Sequence, residues 1–268
     1  MRRYTDSTEY ETLLLRNFNN FVKAALIQEA VGEKRGLSVL DLACGKGGDL
    51  PKWAKYGLER YVGVDASAAS IEEAKRRNEN TYHISTATFH VMDFDEVGGA
   101  AFGQFDVVSC MFALHYAFAS KARMDSFMWC VANCLKPGGV FVAVTTDTEA
   151  VMRRLWASPS MMCGNRLYRM QADRANTYHS PYGNKLVFEL AEVAAPMDEF
   201  IVNDFELKAR LRALGEPVMR NALAYGLEKV EKYSKLASDM RAVEAGGRVI
   251  SDEEKEIAAL YRTIYVQR

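Results

Sequence analysis

The run Asp41-Leu42-Ala43-Cys44-Gly45-Lys46-Gly47-Gly48-Asp49 is where chemistry is most legible in the chain. Glycines at such a turn let main-chain amides approach a ligand closely, as in nucleotide-binding units where a strand feeds a helix. The run is not a P-loop, because no Gly-Lys-Ser/Thr follows a four-residue gap. It also lacks the third glycine of the NAD-binding form. Asp65 follows about 20 residues on, where a carboxylate can take both hydroxyls of an adenosine ribose. Asp93 comes later and can accept from the exocyclic amine of adenine. Each acid alone reads equally well as a helix cap or a solvated strand end. All three in order at strand ends point to one nucleoside site.

The elements that must position these residues alternate in type. An amphipathic helix is expected from about Tyr10 to Glu29, with Leu13, Leu14, Phe18, Phe21, Val22, Ala25 and Leu26 on one side. Ser38–Ala43 reads as a buried strand, with Asp49 as cap of the next helix and Pro51 in its first turn. Further strands are expected at Tyr61–Asp65, Thr88–Met92, Phe105–Cys110 and Val140–Thr145, with helices over Ser67–Asn80 and Lys121–Cys134. Leu135–Gly139 reads as a turn. Beyond Asp147 the pattern loosens: a short helix, a Tyr/Gly/Asn/Pro-rich stretch around Tyr178–Gly183, a strand at Lys185–Leu190, and charged helices over 205–215 and 222–245. Gly246-Gly247 should break the second of these helices, and Tyr261–Val266 reads as a last strand.

Alternation of this kind implies an α/β fold, a mostly parallel sheet covered by helices on both faces. Ligands of such sheets bind at the carboxyl ends of the strands, near the point where the strand order reverses. One domain is expected over 1–268, with an N-terminal helix region at 1–36, a nucleoside-binding half at 37–147, and a second half at 148–268 holding a helical insertion and the final strand.

Composition sets limits on partners. The formal net charge of 268 residues is -1, so no global positive field marks a binder of long nucleic acid. Any RNA contact must come from a local cluster of Lys and Arg, which suits a short, end-recognising footprint. Cys44, Cys110, Cys130, Cys134 and Cys163 are odd in number and contain no CxxC pair, so neither a disulfide framework nor a zinc site is indicated. The start, Met1-Arg2-Arg3-Tyr4, has no signal-peptide core, and no apolar run approaches the ~20 residues of a membrane span. The chain reads as soluble and without a membrane partner.

Three segments carry a family resemblance: Arg16-Asn17-Phe18-Asn19-Asn20-Phe21-Val22-Lys23, Val39 through Trp53 unbroken, and Cys110-Met111-Phe112-Ala113-Leu114-His115-Tyr116-Ala117-Phe118. Fainter echoes are Asp198–Val202 and Leu260–Val266. With the ordered acids they resemble the eukaryotic mRNA cap guanine-N7 methyltransferases, a branch of the class I S-adenosylmethionine-dependent enzymes. The resemblance implies a Rossmann-like seven-stranded sheet with a small cap-covering insertion. It implies S-adenosyl-L-methionine as cofactor, held by Lys23, Ala43, Gly45, Asp65, Asp93, Met111 and Tyr116. It implies a cap site of Asn19, Asn20, Lys46, Lys52, Arg77, His115, Glu199 and Tyr261, with the three cations meeting the triphosphate from early positions in the helices flanking the site. Met111 stands where the family usually has Gln, Ala43 where Gly is common, and Asp198 where Pro is frequent.

The reaction implied is transfer of a methyl group to guanine N7 in the GpppN end of mRNA, by positioning and with no acid–base residue. Partners implied are capped mRNA and the RNA triphosphatase, guanylyltransferase or transcription machinery, for a monomer working in the nucleus. Three other readings stand beside this one. A methyltransferase for another acceptor accounts for Asp41, Asp65 and Asp93 but not for the Asn19-Asn20 segment or Glu199. A non-catalytic cap- or RNA-binding subunit is disfavoured by the retention of Lys23, Asp65 and Asp93. An NAD oxidoreductase is disfavoured by the missing third glycine.

Overall fold

The structure is a computed structural model. It describes residues 12–94, 96–97, 102–173, 180–191, 193–243 and 249–268. The Gly246-Gly247 break, and residues 178 and 179 of the stretch around 178–183, lie outside them. Strands β1 (Ser38–Leu42), β2 (Arg60–Asp65), β3 (Ala87–Val91), β4 (Phe105–Met111), β5 (Leu135–Thr146), β10 (Val218–Asn221) and β11 (Tyr261–Gln267) form one sheet, in the order β10-β11-β5-β4-β1-β2-β3. β1 runs parallel to both β2 and β4, and β4 to β5, whereas β11 is antiparallel to β5 and β10. The order reverses at β1, so the carboxyl ends of β1, β2 and β4 share one crevice.

The alternation of side chains along each strand divides two cores. Val39, Val107, Val140, Val142 and Val144 pack to one side with α1 (Leu13–Val31), α2 (Leu50–Trp53) and α7 (Ala222–Lys232). Leu40, Leu42, Val108, Phe141 and Ala143 pack to the other with α4 (Lys121–Cys134) and α6 (Asp204–Leu211). Both faces are covered, which is why β1 is buried at every position. Phe18 and Phe21 of α1 are fully buried, each contributing about 1.5–3 kcal/mol by leaving water.

Several boundaries differ from expectation. β5 begins at Leu135, within the predicted turn, because Leu135 pairs with Phe105 and the chain end supplies partners: Gly138 N donates to Arg268 O, and Arg268 N to Gly139 O. The helix after β2 is α3 (Ala68–Arg77), capped by Ser67 and continued by a π turn over Asn78–Tyr82. The region after β5 holds α5 (Thr148–Trp156), the short helix expected, and then a four-stranded antiparallel sheet of which only the strand at Lys185–Leu190 is expected from the sequence. Its strands are β6 (Met162–Gly164), β7 (Tyr168–Ala172), β8 (Lys185–Leu190) and β9 (Val193–Phe200), in sequential order. Tyr168, Met170, Leu186 and Phe188 point to its buried face. The expected helix over 222–245 is two, α7 and α8 (Ser234–Asp239), and α9 (Asp252–Ala258) precedes β11. Among the described residues no helix is long and apolar enough to cross a membrane.

Candidate functional site

The turn after β1 has backbone geometry that few residues tolerate. Ala43, Gly45 and Gly47 all have positive φ, at 59°, 54° and 72°. At Gly47 a Cβ would also meet Leu50 Cδ1 at 2.5 Å, so this glycine is required twice over. Asp65, at the end of β2, ties the turn down: its Oδ2 accepts from Gly45 N at 2.8 Å and its Oδ1 from Ser67 N at 2.9 Å. Each oxygen keeps a further lone pair. Asp41 lies below the turn and supports it, accepting from Tyr61 OH and Ser109 Oγ, each at 2.8 Å. Burial, with the neighbouring Asp49 charge, pushes its carboxyl up to about 7.

Above these strand ends opens a cavity of about 480 Å³ whose lining includes Ala43, Asp65, Asp93, Met111, Phe112 and Tyr116. The structure thus brings five of the expected donor-site residues to one wall, with Gly45 one bond away through Asp65. Asp93 carries an unexpected partner, since Arg123 Nη2 donates to both its oxygens at 3.0 and 2.9 Å. Lys23 reaches the same wall from α1, with Nζ 6.0 Å from the Phe112 ring centroid and 2.8 Å from Asp49 Oδ1.

Beside the cavity, behind Tyr116 and Phe200, lies a buried polar pair. His115, in a 3-10 turn over Leu114–Ala119, and Glu199, on β9, are 2% and 5% exposed. Their nearest polar atoms stand 3.8 Å apart, too far for a hydrogen bond, and both His115 nitrogens and Glu199 Oε2 have no partner. Burial pushes the Glu199 carboxyl up to about 7 and the His115 imidazolium down to about 4. Tyr261 stands edge-on to Phe112 at 5.0 Å, and the Tyr116 ring lies 4.3 Å from that of His115. Burial and the Glu199 charge raise both phenols.

The expected phosphate ligands fall differently. Lys46 precedes α2 and is exposed. Lys52 is buried, its ammonium 2.7 Å from Asp49 Oδ1 and bonded to Asn20 Oδ1 and Gly48 O at 3.1 and 3.0 Å. Asp49 therefore does not cap α2, since its carboxylate is spent on two lysines; although burial opposes it, they hold the group down to about 2. Arg77 is the last residue of α3, not an early one, and folds back so that Nη1 donates to Lys46 O at 2.9 Å. Asn19 is half-buried on α1. Sequence reasoning missed Phe112, whose φ is 60°, and Phe200, which also lines the cavity. It missed Arg123 too, which meets Asp93 across 30 residues with no local signal.

A family model described as the mRNA (guanine-N(7))-methyltransferase domain matches residues 3–268. The mRNA cap guanine-N(7) methyltransferase of Schizosaccharomyces pombe is 30% identical over 92% of this chain and 73% of its own length. That of Drosophila melanogaster is 34% identical over 74% of this chain, a match spanning 52% of the relative. Among solved structures, an S-adenosylmethionine-dependent methyltransferase from Clostridium acetobutylicum superposes with a TM-score of 0.56 at 14% identity, covering 97% of this chain and 96% of its own, which establishes the fold. The chain belongs to the mRNA (guanine-N7) methyltransferase family.

Proposed function

We propose that the cavity at the strand ends receives S-adenosylmethionine and that the Glu199–His115 pocket receives the cap guanine of GpppN-ended RNA, for methylation at N7. The observation that carries this reading is the pair of buried, unpartnered polar side chains opening beside a nucleoside-sized cavity. Buried polar groups are ordinarily satisfied, so such orphans mark where a ligand's complementary atoms belong. The cavity also fits its ligand chemically: about 480 Å³ is within the usual range for small-molecule sites, and it has carboxylates at two strand ends and apolar walls.

When bound, the cofactor supplies an activated methyl group. Asp65 would hold the ribose hydroxyls, Asp93 the adenine amine, and Lys23 the amino-acid carboxylate. Glu199 would accept from guanine N1–H and N2–H together, while neutral His115 and the Tyr116 and Tyr261 rings hold the base edge-on. Guanine N7 has a free lone pair and needs no general base, so the residues align rather than react. As positive charge grows on the purine, the Glu199 carboxylate stabilises it in a dry pocket, favouring the transition state over the ground state. The GpppN end is made by RNA 5′-triphosphatase and guanylyltransferase chemistry, so we assign the protein's work to the nucleus beside those activities.

Incubation with labelled S-adenosylmethionine and GpppN-ended RNA, followed by nucleotide analysis, should give label only in 7-methylguanosine; label on a ribose or on adenine would overturn the reading. Asp65→Ala should abolish calorimetric binding of S-adenosylhomocysteine, and unchanged affinity would remove Asp65 from the site.

A further inference from the structure

We propose that Tyr82 is the stacking platform for the first transcribed nucleotide, the nucleoside on the far side of the triphosphate bridge from the guanine. The inference rests on the reading above in one respect, that Lys46 and Arg77 meet the triphosphate.

The local backbone is unusual where Tyr82 sits. α3 does not end with a simple cap but passes into the π turn Asn78–Tyr82, followed by His83 at φ 52°. Such insertions cost regular hydrogen bonding and are frequent at functional sites. This one is clamped from beneath. Buried Asn78 donates through Nδ2 to Ile84 O at 3.1 Å and accepts from Ile84 N at 3.0 Å, and His83 N donates to Asn78 O at 2.7 Å. The clamp fixes a half-buried tyrosine beside Arg77, whose Nη2 donates to Tyr82 OH at 3.1 Å and whose guanidinium carbon lies 5.7 Å from the ring centroid.

Charge and position agree with a nucleotide here. The Arg77 guanidinium donates to two uncharged oxygens, Lys46 O and Tyr82 OH, and makes no ion pair among the described residues, so it can still meet an anion. Lys46 is exposed and makes no ion pair among the described residues, and the nearby Glu73 is engaged by Arg76 at 2.8 and 2.7 Å. Arg77 thus joins the glycine turn on one side to an aromatic ring on the other. A chain whose phosphates lie against Lys46 and Arg77 brings its next base to Tyr82. Stacking on a single ring tolerates any base, because every base offers a π face.

Steady-state kinetics on two acceptors separates this from a merely structural role. GTP shares the guanine and the triphosphate with GpppA but lacks the second nucleoside. Tyr82→Ala should raise KM for GpppA about tenfold, within the range for loss of one base–aromatic stack, with kcat and the KM for GTP unchanged. Tyr82→Phe, which keeps the ring and loses the bond to Arg77, should match the wild type on both. If alanine impairs folding, Tyr82→Leu fills the space without a π face and should behave as alanine is expected to. Equal loss on GTP and GpppA, shared by Tyr82→Phe, would reduce Tyr82 to a positioner of Arg77 and overturn the proposal. No change on either acceptor would also overturn it. Arg77→Ala should weaken both acceptors; if it weakens neither, the phosphate placement itself falls, a failure distinct from that of Tyr82.

Discussion

Glu199 concentrates the chemistry of the site in one carboxylate. Buried and without a partner on Oε2, it holds its proton up to about 7 against an ordinary 4.5. Its pKa is raised by the fold, so relative to acid the unliganded protein loses stability as pH rises from about 4.5 through about 7. If Glu199 holds the guanine as proposed, cap recognition has the opposite dependence, because only the ionised form accepts from both guanine donors. kcat/KM for GpppN should climb with pH and level off above about 7, while His115 stays neutral throughout that window. Glu199→Gln should flatten this profile and lower kcat/KM by ~10²-fold or more, with affinity for S-adenosylhomocysteine unchanged. A wild-type profile already flat between pH 6 and 8, or a loss below about twofold, would remove the guanine from this pocket.

At the scale of elements, α1 shows how a distant segment secures a site helix. Thr12, at its N-cap, makes no side-chain capping bond. Instead Glu254 Oε1, 239 residues away in sequence, accepts from Leu15 N at 2.9 Å, while its Oε2 closes a capping box with Ser251 on α9. α1 carries Asn19, Asn20 and Lys23, so α9 and the strand that follows it hold this helix in register with the glycine turn. Glu254→Ala removes a charged acceptor from two helix starts and should cost about 2–3 kcal/mol. That corresponds to a Tm lowered by roughly 5–10 °C. Glu254→Gln, which still accepts through one oxygen, should lose less. A melting temperature within a degree of the wild type would show that α1 does not depend on this bond.

Across the whole molecule, two sheets cooperate. The parallel sheet supplies the cavity at the strand ends, and β9 of the small antiparallel sheet brings Phe200 to its lining, with Glu199 buried next to it in sequence. On the proposed reading recognition is concentrated at the RNA end, and the net charge of -1 gives no global field to draw in the rest of the strand. GpppG and GTP should serve as acceptors, and RNAs of different sequence should be methylated at similar rates. If exposed Lys46 and half-buried Arg77 meet the triphosphate as proposed, log kcat/KM against log salt should fall with a slope of roughly -1 to -2. A slope of about -5, or activity on one long RNA sequence alone, would overturn the end-recognising reading.

Local pattern alone determined the central half of the fold. The apolar runs of β1, β2, β4 and β5 are short and sharply bounded, and the glycine turn with Asp65 at the next strand end needs no distant partner to be recognised. Motif likeness extended that to Glu199 and His115, whose types and neighbours are local facts. Tertiary structure alone decided what depends on contacts far apart in the chain. Arg123 meets Asp93 only because α4 packs Phe127 edge-on against Phe94, in the segment after β3, and β5 lengthens back to Leu135 only because Arg268 supplies its hydrogen bonds. Lys52 looks in sequence like a surface cation, yet the fold buries it against Asp49 and Asn20. Of the insertion's sheet only β8 is legible in the sequence, because β6 has three residues and antiparallel edges are stabilised by cross-strand pairs, not by any single strand's pattern. The raised carboxyl of Glu199 belongs to the same class, since desolvation is a property of the packed pocket and of no residue in it.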